Sequence, residues 1–335
     1  MRAKRPWHRA GMWVATAALG YGIALTGAAV EQPYPNRTIK LVVPYVAGGP
    51  TDIVARAIAD KLSISLKRPI VIENRPGAGG NIGTEAVAKA PPDGHTLGLL
   101  VNTTLTVNPS VYKNLSFDSD RDIRPISIVT TTGQMLVVHP TLAVRSVADF
   151  VAYAKAATAR KQSVTYASAG NGTPSHLAME YFRLHAGFEA VHVPYRSVTP
   201  MVVDLLAGQV KIAFIGSTGM ADHIREGRLR GLGVSHAARS PLVPDIPTIA
   251  ESGYPGFTIE TYLVMISPAG IPEPVVDVLE RELQAALRHP DLIERFRLMD
   301  IVPLGLTGVG ARQRITDDTQ TWAKVVAATS MRLDQ

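Results

Sequence analysis

Apolar residues recur along this chain in two alternating rhythms, short solid runs and stretches with a period of three to four. Residues 41–43, 70–72 and 96–101 are solid runs, the pattern of strands buried on both faces. Between the first two, residues 53–66 set Val54, Ile58 and Leu62 on one face of a helix. A second short helix is predicted over 81–89, a strand over 135–138, and a helix over 147–157 with Val147, Phe150, Val151 and Ala154 turned inward. Strands at 164–167, 191–193, 212–215 and 229–234 follow, with a helix over 175–185 between the first two. The stretch 273–289 aligns Val276, Leu279, Leu283 and Leu287, and a last helix over 311–328 carries Trp322. Strands and helices alternating in this way predict an α/β fold with mainly parallel sheets.

Twice a glycine turn sits where a predicted strand feeds a helix. The first is Pro44-Tyr45-Val46-Ala47-Gly48-Gly49-Pro50-Thr51-Asp52, and the second is Ser168-Ala169-Gly170-Asn171-Gly172-Thr173-Pro174-Ser175. The first N–H groups of a helix have no intrahelical partner, and the helix dipole favours negative charge there. Gly48, Gly49, Gly170 and Gly172 leave room for a ligand to approach the backbone. Pro50 and Pro174 suit a first helical position. Thr51 or Asp52 can cap the first helix and Thr173 the second, with Ser175 and His176 adding donors. The same spacing also suits a plain capped turn. In open α/β sheets ligands sit beyond the carboxyl ends of strands, so one such end in each half predicts two lobes facing across a cleft.

Composition narrows the compartment and the chemistry. The 335 residues supply material for one large or two ordinary domains, and no internal repeat or low-complexity tract stands out. With no cysteine, the chain has no disulfide, no thiolate metal site, no cysteine nucleophile and no lipidated cysteine. Arg2, Lys4, Arg5 and Arg9 precede an uncharged stretch, 10–30, that closes on Gly27-Ala28-Ala29. This is the layout of a secretory signal peptide spanning 1–29, and glycines and threonines dilute it too far for a membrane anchor. No arginine pair marks a twin-arginine route. Losing four basic residues and no acid takes the formal charge from +6 to near +2. Neither that charge nor any basic stripe with interleaved aromatics points to nucleic acid.

Several enzyme and nucleotide patterns are missing. Gly77, Gly79, Gly80 and Gly83 do not form G-x-G-x-x-G, because Ile82 holds the sixth position, and no phosphate-binding P-loop occurs. Ser168, Ser175 and Ser217 lie near predicted strand ends, with His176, His185 and His192 available, yet there is no G-x-S-x-G elbow. No H-E-x-x-H occurs and no histidine spacing suits zinc. The expectation is therefore no catalytic residue, no metal and no cofactor.

Ordered motifs across nearly the whole mature chain carry a resemblance. They begin with Tyr34-Pro35-Asn36-Arg37-Thr38-Ile39 and the first glycine turn, then Glu73-Asn74-Arg75-Pro76-Gly77-Ala78-Gly79-Gly80 and Pro92-Asp93-Gly94-His95-Thr96-Leu97. Gly172-Thr173-Pro174-Ser175-His176-Leu177, His192-Val193-Pro194-Tyr195 and Asp204-Leu205-Leu206-Ala207-Gly208-Gln209-Val210 follow. Arg239-Ser240-Pro241, Asp245-Ile246-Pro247-Thr248 and Pro268-Ala269-Gly270 complete the series. Together they resemble Bug-type extracytoplasmic solute receptors, the binding proteins of tripartite tricarboxylate transporters.

The resemblance implies a two-lobed type II periplasmic binding protein fold with a ligand cleft between lobes. Residues 30–132 plus 257–335 would form lobe one and 133–256 lobe two, with the carboxyl-terminal helices packing back on lobe one. It implies ligand-binding roles for Ala47, Gly48, Thr51 and Asp52, for Asn102 and Thr103 past a strand end, and for Gly172, Thr173, Ser175 and His176 opposite. Tyr195 and Ser217 are further candidates, and Tyr262 either lines the cleft or packs at the hinge. Two departures stand out. Arg196-Ser197 replaces a common Lys-Gly, and Lys211 and Ile215 occupy a strand where relatives often place acids, which disfavours an amino-acid ligand. The expected function is periplasmic capture of a small carboxylate by a monomer and its delivery to integral membrane transporter subunits. The alternatives are a periplasmic serine hydrolase using Ser175 or Ser217 and a sensory receptor feeding a signalling partner.

Overall fold

The computed structural model describes residues 34–217 and 220–329, so the signal-peptide expectation falls outside the described residues. The chain begins β1 (Ile39–Val43), α1 (Pro50–Ser65), β2 (Ile70–Asn74), a 3-10 turn (Ala78–Gly80), α2 (Asn81–Ala88) and β3 (Thr96–Val101). Single-turn helices α3 (Thr103–Thr106) and α4 (Asn108–Val111) lead to β4 (Ile123–Val138). Then come α5 (Val147–Ala159), β5 (Thr165–Ser168), α6 (Pro174–Ala186), β6 (Val191–Pro194), α7 (Val198–Leu206), β7 (Ile212–Gly216), α8 (Ala221–Arg225) and β8 (Arg230–Val234). The last elements are β9 (Glu260–Pro268), α9 (Glu273–Leu287), α10 (Pro290–Arg297), β10 (Val302–Thr307) and α11 (Gly308–Thr329).

The strands join in the order β2-β1-β3-β9-β4-β7-β5-β6, with β8 and β10 also on β4. Parallel pairing is confined to the two ends, β2-β1-β3 and β7-β5-β6. The centre is antiparallel, which corrects the expectation of mainly parallel sheets. β9 inserts between β3 and β4, and β4 is far longer than the 135–138 run that its apolar pattern predicts. Its front half pairs with β9 from Ile123 to Gly133, and its back half, Gln134–Val138, pairs with β7. Pro125, Ser127 and three consecutive threonines interrupt the apolar run in the front half. Only the partner strand, distant in sequence, makes that half a strand.

Both faces of each sheet end are covered, which is why the strands read as solid apolar runs. Leu41 and Val43 enter a core with Val54, Ile58 and Leu62 of α1, Leu279 and Leu283 of α9, and Phe296 of α10. Val42 points the other way, into a core with Val87 of α2, Tyr262, and Ala311 and Ile315 of α11. Beyond Gly133 the alternation continues. Leu136 and Val138 join Phe150, Phe182 and Phe214, while Met135 and Val137 join Met201, Leu205 and Val210. α11 spans two cores. Its first turns sit with Val42 and Tyr262, but Trp322, Val325 and Val326 enter the core of Phe150 and Phe182. Trp322 lies 6.0 Å from the Tyr181 ring of α6. Tyr262 is fully buried and its hydroxyl donates to Asp318 Oδ2 of α11 at 2.6 Å, so this ring packs at the crossing.

Gly133 marks the point where β4 changes partners. A Cβ there would lie 2.8 Å from His236 Cβ and 3.2 Å from its backbone nitrogen. Replacing Gly133 by Ala is therefore expected to destabilise the protein by about 1–3 kcal/mol through overpacking against main chain. Urea denaturation should show a lower midpoint at unchanged slope. An unchanged midpoint would mean that the crossing yields freely.

Candidate functional site

Each glycine turn leaves the carboxyl end of a strand and starts a helix at a proline, Pro50 of α1 and Pro174 of α6. Helix geometry leaves the next N–H groups, those of Thr51 and Asp52 and of Ser175 and His176, without intrahelical partners. The first intrahelical bonds are Ile53 N to Gly49 O and Leu177 N to Thr173 O, both 3.0 Å. The residues at the cap positions, Gly49 and Thr173, make no side-chain cap bond, unlike the expectation for Thr173. Capping comes instead from the third helical residue reaching back four positions. Asp52 Oδ2 accepts the Gly48 N–H at 2.9 Å, and His176 Nδ1 accepts the Gly172 N–H at 3.1 Å. Both glycines are left-handed, with φ +78° and +70°. Gly-x-Pro-hydroxyl-acceptor is thus one motif used twice, as Gly48-Gly49-Pro50-Thr51-Asp52 and Gly172-Thr173-Pro174-Ser175-His176. The repeat is visible in the sequence once the two segments are aligned on their prolines.

The two acceptors differ in charge. Asp52 is buried and holds Arg56 at 2.8 and 3.1 Å and the Asn74 amide at 2.9 Å. The bonded Arg56 guanidinium, opposed by burial and helped by the Gly48 N–H, lowers its carboxyl to about 2. Both oxygens are engaged, so Asp52 is a strut beneath the loop. His176 is buried and stacks on His192 at 3.9 Å between ring centroids. Burial, and then the neighbouring His192, lower its pKa to about 4. Accepting at Nδ1 requires the neutral ring with its hydrogen on Nε2.

The remaining candidates fall into distinct places. Ala47 and Gly48 are exposed at the first loop tip, and Thr51 is buried and lines a cavity of about 380 Å³ beside it. Tyr45 ties that loop to the end of β3, its hydroxyl accepting from Val101 N at 3.2 Å and lying 3.1 Å from Thr104 Oγ1. Asn102 is buried and bridges β3 to β9, with Oδ1 accepting from Tyr262 N at 3.3 Å and Nδ2 donating to Glu260 O at 3.4 Å. Thr103, half-buried, opens α3. In the second loop Ser175 Oγ accepts from Ala169 N at 3.0 Å and lies 3.1 Å from Thr173 Oγ1, which donates to Gly170 O at 2.6 Å. Tyr195 joins this cluster through its backbone, donating to Ser168 O at 2.9 Å, while its hydroxyl donates to Asp204 at 2.7 Å. Ser217 belongs elsewhere, donating to Asp300 Oδ2.

Asp300 escaped the sequence reading. It follows α10 at φ +53°, is buried, and also accepts from Ser240 Oγ at 2.7 Å, while its carbonyl accepts from Thr132 Oγ1 at 3.0 Å. One acid thus joins the end of β7 and the loop after β8 to the carboxyl-terminal segment and to the middle of β4. No local pattern signals such a contact. Neither serine of the hydrolase alternative has a histidine partner. Ser168 does, with His192 Nε2 at 2.5 Å, but its side chain is fully buried and also engages both Gly170 backbone groups. Among the described residues no group of acids and histidines is arranged to hold a metal ion.

Two stability predictions follow from the struts. Replacing Asp52 by Ala strands the Gly48 N–H and Arg56 together and should cost about 2–3 kcal/mol, against about 1 kcal/mol for His176→Ala, read as a shift in urea midpoint. Equal losses would show that the Asp52 charge adds nothing. The second concerns acid. Because the folded state holds His176 at about 4 against an ordinary 6.5, the unfolded chain binds more protons between those values. This contribution is complete above about pH 6.5 and is lost progressively as pH falls toward 4, up to about 3 kcal/mol. His176→Asn keeps an acceptor without that titration, so its stability should fall less over the same interval. Parallel pH curves for the two proteins would overturn the assignment.

Comparison with known proteins shows the family. The family described as "Tripartite tricarboxylate transporter family receptor" matches residues 54–331. Protein BugT of Bordetella pertussis is 36% identical over 321 residues, covering 95% of this chain and 98% of its own length. The solved periplasmic binding protein BugD superposes with a TM-score of 0.72 at 32% identity, over 89% of this chain and 99% of its own. Rpa4515 of R. palustris, solved with adipate, gives 0.75 at 31% identity, again over 89% and 99%. Members of the family are solute-binding receptors and not enzymes. By family match, by identity over nearly its whole length and by fold, the chain belongs to the Bug-type receptors of tripartite tricarboxylate transporters.

Proposed function

We propose that this chain is exported to the periplasm, captures a small carboxylate between its two glycine loops, and delivers it to the integral membrane subunits of a tripartite transporter. The observation that carries the reading is the repeated loop motif. Asp52 and His176 each satisfy the left-handed glycine in front of their helix. The unpartnered N–H groups at the helix starts, with the hydroxyl of Thr51 beside the first pair, are then available to an anion. Rpa4515, the relative solved with adipate, supports a carboxylate as the class. Lobes of 30–132 plus 257–335 and of 133–256 would close about β4 and β9, at Gly133 where β4 passes from β9 to β7. Capture needs no chemistry: the lobes close on the ligand and release it on opening.

A thermal-shift screen of mono-, di- and tricarboxylates tests the reading directly. A bound acid should raise the melting temperature by mass action, with about 2.7 kcal/mol of added stability at one hundred times its dissociation constant. Recovery of the acid intact after long incubation separates the receptor from a hydrolase. A screen in which no carboxylate moves the transition would sink the proposal. Export is checked by mass spectrometry of the periplasmic fraction, where the chain should begin close to Val30.

Ligand charge gives a sharper prediction. Lys211 and Ile215 do not bear on the site as expected: Lys211 is exposed before the amino end of β7, and Ile215 is buried in the core with Met201 and Leu205. Asp52 has no oxygen to spare for an ammonium, since Gly48, Arg56 and Asn74 hold both. An acid should therefore bind at least about thirtyfold more tightly than its α-amino analogue, the equivalent of about 2 kcal/mol for an ammonium left short of acceptors. Calorimetry on succinate against aspartate, or hexanoate against 2-aminohexanoate, reads this ratio. Equal or tighter binding of the amino form would overturn it.

A further inference from the structure

Beside the first loop lies a cavity of about 380 Å³ whose wall includes Gly49, Pro50 and Thr51 at the start of α1. The wall also includes Val54, Val101, Leu263 and Ile301, with Tyr45 and Val46 of the first loop and Thr130, Thr132 and Thr261 of the crossing strands, and no lining residue carries a charge. The Thr132 hydroxyl is already committed to Asp300 O at 3.0 Å. A water molecule occupies about 30 Å³ of liquid, so the cavity is far larger than a single carboxylate group needs. Its only concentrated anion-attracting feature is the helix start at one edge. A second carboxylate inside would leave water with no cation and few donors to meet it, which is strongly unfavourable. An aliphatic or aromatic body would meet a wall of its own kind.

We infer that the ligand is a monocarboxylate with a sizeable apolar body, its carboxylate at the first glycine loop and its body in this cavity. The inference rests on the receptor reading and narrows it. It sets this chain apart from the relative solved with a dicarboxylate.

The test is a calorimetric series on the mature protein with butanoate, hexanoate, octanoate and adipate. Affinity should rise about fourfold for each methylene buried between butanoate and hexanoate. Adipate, which carries a second carboxylate on the same six-carbon length, should bind at least tenfold more weakly than hexanoate. In Thr261→Phe, which fills the cavity from a half-buried strand position that favours aromatic residues, the series should flatten. Ile301→Phe fills it from the opposite chain segment, and melting curves without ligand report the folding of both variants. Equal affinity for butanoate and hexanoate, or tighter binding of adipate, overturns the inference and leaves the receptor reading intact. An unflattened series in folded variants moves the apolar body out of this cavity and overturns it as well. Binding of no acid at all overturns the receptor reading and this inference together.

Discussion

The cleft end of this protein depends on one constraint: a left-handed glycine before a helix must have its N–H satisfied from within the fold. If water or ligand had to satisfy it, each loop would lose its shape whenever the ligand left. Asp52 and His176 remove that dependence by reaching back from the third position of their helices. Proline at the first position contributes no N–H, so the unpartnered donors are concentrated at the next two residues. In the proposed function these donors stand in place before an anion arrives, which would lower the ordering cost of binding. One loop is underpinned by a charge and the other by a neutral stacked ring, so the two respond differently to acid.

The second constraint is the crossing of β4 and β9. Several long-range ties converge on it. Glu260, where β9 begins, is buried and accepts from Thr131 Oγ1 at 3.0 Å and from Arg314 of α11 at 2.7 Å. The Arg314 guanidinium lies 4.9 Å over the Tyr262 ring, whose hydroxyl is held by Asp318. Burial raises Asp318 and opposes the charge of Glu260, while His236 and Arg314 pull Glu260 down. These contacts fasten α11 along the crossing, and its last turns reach the second core through Trp322. Asp300 adds a polar tie to the end of β7 and to the loop after β8. The closure proposed above would be absorbed at Gly133 and its neighbours, where β4 changes partner.

The sequence by itself determined the two strand–glycine–helix units, the helices at 147–157 and 273–289, and the absence of enzyme motifs. These depend on local rules: periodicity of apolar residues, glycine where φ is positive, and proline at a helix start. It also carried the repeated loop motif on which the proposed site rests, because the motif is contiguous. Tertiary structure alone decided what those residues do. Asp52 reads as a cap or an ammonium partner until Arg56 and Asn74 are seen to consume it. Asn102 reads as a pocket wall until its amide is found bridging two strands. The front half of β4, all of β9, the reach of α11 and the role of Asp300 were hidden for one reason. Each depends on a partner more than eighty residues away in sequence or on an antiparallel pairing across the sheet, and no local pattern encodes the partner that satisfies a strand edge or a buried acid.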